Sequence, residues 1–343
     1  MTGPNKTDPS APLSIEVTRG GYIESRHKVR MVVTNTDGQI ILQAGDINAV
    51  VFPRSAIKPI QALAFIESGA AEALQVSDSE VAVACGSHSG EPCHVAAVGT
   101  WLQRIGCSEA DLECGIHLPY GSTATRNLHR AGQAPSPLHN NCSGKHAGFL
   151  TLARHLGWPT KGYIDIDHPV QKHVRKIFSS VCGLNLSKAP VGIDGCGIPT
   201  IAVPLFNLAM GMAHLASLTR PPGKPSSKLQ NACARVRRAM TAAPFMIEGS
   251  DGFSTRMIDA THGRVLVKGG AEGVYAIALP ETGFGAALKV EDGAMRAGPV
   301  AVGHLLKMLN ILEEAETQAL DDVLIPDISN RVGRVVGNIQ PGS

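Results

Sequence analysis

The chain has 343 residues, 43% of them hydrophobic and 17% charged, with a formal net charge of +2. This is the balance of a globular protein able to bury a sizeable core, and it excludes an intrinsically disordered chain. The basic residues are scattered, so no concentrated basic face forms and nucleic acid is excluded as the main partner.

Residues 1–12 are polar with Pro and Gly, and read as a flexible N-terminal tail without the apolar core of a signal peptide. Residues 13–343 are expected to form a single domain. No run of eighteen apolar residues occurs, so no membrane span is expected, and the expected location is the cytoplasm. The eight cysteines are spread out with no CxxC pair, and read as reduced, mostly buried thiols.

In chain order, residues 29–33 and 40–43 flank Asp37-Gly38 and predict a hairpin closed by a tight primed turn. A helix is predicted from about Ser55, because Pro59 fits only in a first turn, and Gly69 is its expected stop. Residues 81–85 read as a short buried strand leading into Gly86-Ser87-His88-Ser89-Gly90. Helices are predicted at about 144–156, 168–180, 200–217, 226–242 and 297–315, two of them opening on proline-rich starts. Residues 264–268, 273–279 and 284–290 predict three late strands, with turns at Gly269-Gly270 and Thr282-Gly283. The two strand clusters are expected to pair into one antiparallel sheet packed with helices, an α/β (α+β) domain of the three-layer kind with a helical insertion.

Three short motifs carry chemistry. Ser55-Ala56-Ile57-Lys58 is a Ser-x-x-Lys at a helix start, a spacing that sets both residues on one face. A serine hydroxyl needs a base to become a nucleophile, and a lysine serves only if burial or neighbouring positive charge lowers its pKa. By itself the motif is a weak signal, and a lone Ser-x-x-Lys is far more often an N-cap serine with a solvated lysine. The second motif is Gly86-Ser87-His88-Ser89-Gly90, whose glycines allow close backbone approach, though an ordinary turn has the same composition. The third is Lys268-Gly269-Gly270 at a strand end. Penicillin-binding proteins and serine β-lactamases carry Ser-x-x-Lys, Ser-x-Asn and Lys-Thr-Gly in this order; here the second and third depart to Ser-x-Ser and Lys-Gly-Gly. Ser143-Gly144-Lys145 is not a phosphate loop, since the earlier glycine is missing and His146 follows the lysine.

Two longer segments, His139-Asn140-Asn141-Cys142-Ser143-Gly144-Lys145-His146-Ala147-Gly148 and Gly192-Ile193-Asp194-Gly195-Cys196-Gly197-Ile198-Pro199, add specificity. Together with Arg54-Ser55-Ala56-Ile57-Lys58-Pro59, Ser87-His88-Ser89-Gly90-Glu91 and Glu24-Ser25-Arg26-His27, they resemble the Rhizobium etli-type L-asparaginases over residues 14–340. The resemblance implies a serine β-lactamase-like fold, a homodimer, and hydrolysis of L-asparagine to L-aspartate and ammonia. It implies two Ser-Lys pairs, Ser55 with Lys58 and Ser87 with Lys268, and a zinc ion (Zn2+) held by Cys142, Lys145 and Cys196. Two thiolates suit zinc, whereas a lysine ligand must be neutral and would not be inferred from composition. For substrate binding, Arg54 suits an α-carboxylate, Asp194 an α-ammonium, and His146 is a third candidate. The alternatives are a serine-dependent glutaminase or related amidohydrolase, and a non-catalytic zinc-dependent amino-acid sensor.

Overall fold

The computed structural model describes residues 9–217 and 227–342. The predicted tail therefore lies outside the described residues up to position 8, as does the first residue of the helix expected at 226–242.

Among the described residues twelve strands run in chain order: β1 (Leu13–Arg19), β2 (Tyr22–Thr34), β3 (Ile40–Ala44), β4 (Val50–Val51), β5 (Val191–Ile193), β6 (Pro199–Ile201), β7 (Val203–Pro204), β8 (Leu266–Gly270), β9 (Val274–Leu279), β10 (Phe284–Val290), β11 (Asp327–Ser329) and β12 (Val335–Pro341). Eight form one antiparallel sheet in the order β11-β12-β1-β2-β10-β9-β8, with β3 also on β2. The two strand clusters join where β2 pairs with β10, Val33 opposite Ala286 and Met31 opposite Leu288. Strand alternation then divides the core. Val32, Ala276 and Ala287 face the helical block, while Met31, Val33, Ile277 and Leu288 face the helix Ala297–Met308. The helix Leu205–Ala216 lies directly on β10 at Gly285, where a Cβ would stand 2.0 Å from the Ala213 nitrogen. The result is a mixed α/β molecule, an antiparallel sheet between helical layers.

Several sequence expectations are corrected. Residues 81–85 are not a strand: they end the helix Asp78–Cys85, which starts on a capping box. Ser77 Oγ accepts from the Glu80 nitrogen and Glu80 Oε2 accepts from the Ser77 nitrogen. An apolar run buried on all sides has no periodicity to separate helix from strand. The expected primed turn at Asp37-Gly38 is a longer loop, in which Asn35 Oδ1 accepts from the nitrogens of Asp37 and Gln39. The helix expected at 200–217 begins only at Leu205, because residues before it pair as β6 and β7. The helix expected at 297–315 stops at Met308, and Asn310 follows with φ 53°. Strands β1, β11 and β12 were not foreseen; β1 pairs with β12, so both ends of the described chain share the sheet.

Candidate active site

The segment after β4 turns through a 3-10 helix, Arg54–Ile57, into the helix Lys58–Glu67, with Pro59 in its first turn. Every residue from Lys58 to Ile66 is buried, so this helix runs through the helical block and carries the Lys58 side chain inside. Lys58 is 0% exposed. Its Nζ lies 2.6 Å from the Gly86 carbonyl, 3.1 Å from the Asn141 carbonyl and 3.0 Å from Ser87 Oγ. Carbonyl oxygens only accept, so two of these contacts take N–H groups from Lys58. The third works in either direction: an ammonium donates to Ser87, and a neutral amine accepts the serine proton on its lone pair. Burial, with Lys145 and Lys268 nearby, outweighs the opposing pull of Cys142 and Cys196 and lowers the Lys58 pKa to about 8.

In front of Ser87 opens a cleft of about 790 Å³, whose wall includes Ser55, Ser87, Lys268, Arg54 and Asp194. Ser55 makes no side-chain hydrogen bond among the described residues, and none joins it to Lys58. Its turn is set by two backbone features. Arg54 is held at φ 50°, a region a non-glycine residue enters only under constraint. Against the turn lies Gly270, where a Cβ would stand 2.6 Å from the Pro53 carbonyl and 2.9 Å from the Ala56 nitrogen. The Lys-Gly-Gly motif was expected to end in a turn at this point; instead β8 runs through Gly270, and the glycine lets the strand touch the serine turn.

Ser87 leaves the helix Asp78–Cys85 at Gly86 and donates its backbone N–H to the Ile247 carbonyl. Lys268 donates to Glu248 Oε1 at 2.9 Å and to the Gly269 carbonyl at 2.7 Å, so its partner is an acid rather than Ser87. Arg54 donates through Nε to Asp194 Oδ1 at 2.8 Å, and a second guanidinium nitrogen also lies 2.8 Å away. Burial would raise the Asp194 pKa, but Lys145 and Arg54 outweigh it and hold the carboxyl below its ordinary range. The pair presents a cation and an anion side by side on the cleft wall.

Cys142, at the start of the helix Ser143–Leu156, meets Cys196 from the loop after β5. The Cys142 thiol donates to Cys196. This bond, with Lys145, holds Cys196 as a thiolate and lowers its pKa to about 5 against the effect of burial. The same bond and burial push Cys142 up to about 12. Lys145 Nζ lies 3.0 Å from Cys196 Sγ; burial alone would lower its pKa, but Cys142, Cys196 and Asp194 raise it. Two sulfurs and one amine converge, a donor set suited to a thiophilic divalent cation. Among the described residues no group of three or more His, Cys, Asp or Glu gathers as a metal site.

His146 is fully buried and not part of the cleft wall; its Nδ1 lies 2.7 Å from the Tyr163 hydroxyl, and its Nε2 has no partner among the described residues. Three contributors were not foreseen. Asn141 supplies a carbonyl to Lys58. Buried His88 accepts the Gly90 N–H on Nδ1, which leaves Nε2–H to donate to Ser143 Oγ and tie the Ser87 loop to the Cys142 helix. Glu248 holds Lys268 and also stands on the cleft wall. The signal for Glu248 was present as Glu248-Gly249-Ser250-Asp251-Gly252, a glycine-flanked acidic turn of the kind that marks the other site segments.

A family model described as L-asparaginase II matches residues 15–341. The chain belongs to the L-asparaginase II family. No curated protein sequence matches it. Among solved structures, this L-asparaginase II family member is similar to Mglu in its tris and glutamate form, at 16% identity and TM-score 0.49, over 82% of this chain and 59% of that one. It is also similar to a β-lactamase from Mycobacterium bovis at 14% identity and TM-score 0.39, over 83% of this chain and 95% of that one. The chain thus spans about three fifths of the Mglu chain. No helix among the described residues is long and apolar enough to cross a membrane.

Proposed function

We propose that the chain is an amidohydrolase that hydrolyses L-asparagine to L-aspartate and ammonia through a serine nucleophile and a lysine base. The observation that carries this reading is Lys58: a fully buried lysine, its pKa lowered to about 8, with one site turned to a serine hydroxyl at the cleft wall. A structural lysine gains nothing from such burial, whereas a general base needs it.

In this reading Arg54 and Asp194 receive the α-carboxylate and α-ammonium of the substrate. Ser55 Oγ attacks the side-chain amide carbon; its proton passes to Ser87, whose own proton passes to Lys58. Lys58 returns a proton to the departing nitrogen, ammonia leaves, and an ester on Ser55 remains. Water then attacks that ester, giving up its proton along the same route, and aspartate is released with Ser55 restored. Cys142, Lys145 and Cys196 would hold a zinc ion, which when bound supplies a fixed positive charge beside the substrate's α-groups. For lysine to serve as a ligand its proton must leave, which makes the binding pH-dependent.

The bond between Lys58 and Ser87 favours a second assignment, with Ser87 as nucleophile and Lys58 as its direct base. A glutaminase is separated from an asparaginase by one methylene, worth only ~1–3 kcal/mol of discrimination. Ammonia release from asparagine and glutamine, with and without a chelator, tests the reading. Tight amino-acid binding without ammonia release at high protein concentration would replace the enzyme with a sensor.

A further inference from the structure

Lys268 is 1% exposed in its side chain and Glu248 is 18% exposed, with Nζ and Oε1 2.9 Å apart. Glu248 is itself fixed: Ser254 Oγ donates to Oε1 at 2.8 Å and the Ser254 backbone N–H donates to Oε2 at 2.9 Å. Ser254 lies in the first turn of the helix Phe253–Ala260, so the carboxylate also sits at the positive end of that helix. Gly252 lets the chain close over the acid, since a Cβ there would stand 2.1 Å from the Glu248 Cβ. An ammonium has three N–H groups. Two go to Glu248 and Gly269, leaving one without a partner among the described residues, on a side chain that lines the cleft.

We propose that Glu248 is a positioning residue of this centre: it holds Lys268 as a charged donor aimed into the cleft, and so prevents Lys268 from acting as a second base. This rests on the reading of the cleft as a Ser-Lys hydrolytic site. A neutral lysine would leave the largely buried Glu248 carboxylate without its counter-charge, which is costly. The two lysines therefore divide the work. Lys58, bounded by two carbonyls and a serine, exchanges protons; Lys268, bounded by a carboxylate, keeps its own and stabilises negative charge on the substrate or on Ser87. The sequence analysis gave Lys268 a serine partner, and the carboxylate opposite it changes its role.

The titratable groups around the pair are Lys58, Cys85 and Tyr275. The test is Glu248→Gln, which keeps the shape and removes the charge. Its kcat should fall about tenfold or more with KM changed less than about threefold, the pattern of a lost transition-state contact. In a Lys268→Met background the same change should cost less than about twofold, because Glu248 then has nothing to act through. Additive losses would overturn the proposal, as would a Glu248→Gln enzyme that keeps more than half its kcat. NMR of 15N-labelled lysine ammonium groups gives a second readout that needs no substrate: the Lys268 ammonium signal, protected from solvent exchange by its bond to Glu248, should broaden or be lost in Glu248→Gln. An unchanged signal would overturn the proposal. If Glu248→Gln fails to fold, Ser254→Ala, which removes one donor to the carboxylate, should lower kcat several-fold at unchanged KM; wild-type kcat in that variant would count against the proposal. Should the wild-type protein release ammonia from neither amide, the hydrolytic reading fails, and the ammonium signal still decides whether Glu248 holds Lys268.

Discussion

Lys58 Nζ stands 3.0 Å from Ser87 Oγ, and no hydrogen bond joins it to Ser55, its neighbour in the Ser-x-x-Lys motif. The spacing of three placed Ser55 and Lys58 one turn apart, but the serine sits in a 3-10 turn and the lysine opens the α-helix behind it. The lysine thus bonds the serine near in space and not the one near in sequence.

The two serines should therefore separate by mutation. Ser55→Ala is expected to lose well over a factor of ten in kcat, ~1.4 kcal/mol of barrier per factor. Its melting temperature should stay near that of the wild type, since the hydroxyl makes no hydrogen bond within the described structure. Ser87→Ala should also lose activity, but with an altered pH profile because it removes the contact to Lys58. A folded Ser55→Ala enzyme with more than about a tenth of wild-type kcat would assign the nucleophile to Ser87.

Activity should rise with pH through about 8. The sign follows from the base: Lys58 must be neutral to take a proton, and below its lowered pKa it is an ammonium. An unperturbed lysine would place the same rise near 10.4. Measuring kcat/KM between pH 5 and 10 decides the matter; a maximum near pH 5 with decline above it points to a carboxylate or histidine base.

Cys142→Ser and Cys196→Ser should weaken zinc binding and raise KM more than they lower kcat. The two sulfurs line the cleft together with Asp194, and in the proposed reading they hold the substrate's α-groups, so their loss should affect ground state and transition state alike. Metal analysis alongside steady-state kinetics checks this. A collapse of kcat at unchanged KM in folded, metal-free protein would move zinc into the chemical step.

Asp194→Asn should raise KM about tenfold or more, ~1.4 kcal/mol per factor of ten, because it removes the anion that partners Arg54 and that the proposed reading assigns to the substrate ammonium. An unchanged KM, measured with the fold verified by circular dichroism, would remove Asp194 from the binding site.

Gly270→Ala should lower both stability and kcat. The added carbon would stand 2.6 Å from the Pro53 carbonyl, so the backbone carrying Arg54 and Ser55 must move. Overpacking of this kind costs ~1–3 kcal/mol, and thermal melting with kinetics would read both effects. Wild-type kcat in this variant would mean that the Ser55 turn does not depend on β8.

The turn residues Thr282-Gly283 made β10 legible as a strand, and the grouping of strands into an early and a late cluster made their pairing an expectation that the β2–β10 ladder bears out. The buried run at 81–85 was not legible, since surroundings alone decide its conformation. The terminal strands were missed for a related reason: β1 and β12 are stable only through each other, across the whole length of the chain.

The sequence by itself put forward residue types that suit this chemistry. Ser55, Lys58, Ser87, Lys268, Cys142, Cys196, Arg54 and Asp194 all stand in short segments beside glycine or proline, where backbone geometry is constrained locally. Tertiary structure decided who meets whom. Hydrogen bonds and ion pairs act over about 3 Å, and such distances between segments tens or hundreds of residues apart are set only by packing. The burial that brings the Lys58 pKa down, the choice of Ser87 as its contact, and the Glu248 carboxylate opposite Lys268 are products of that packing.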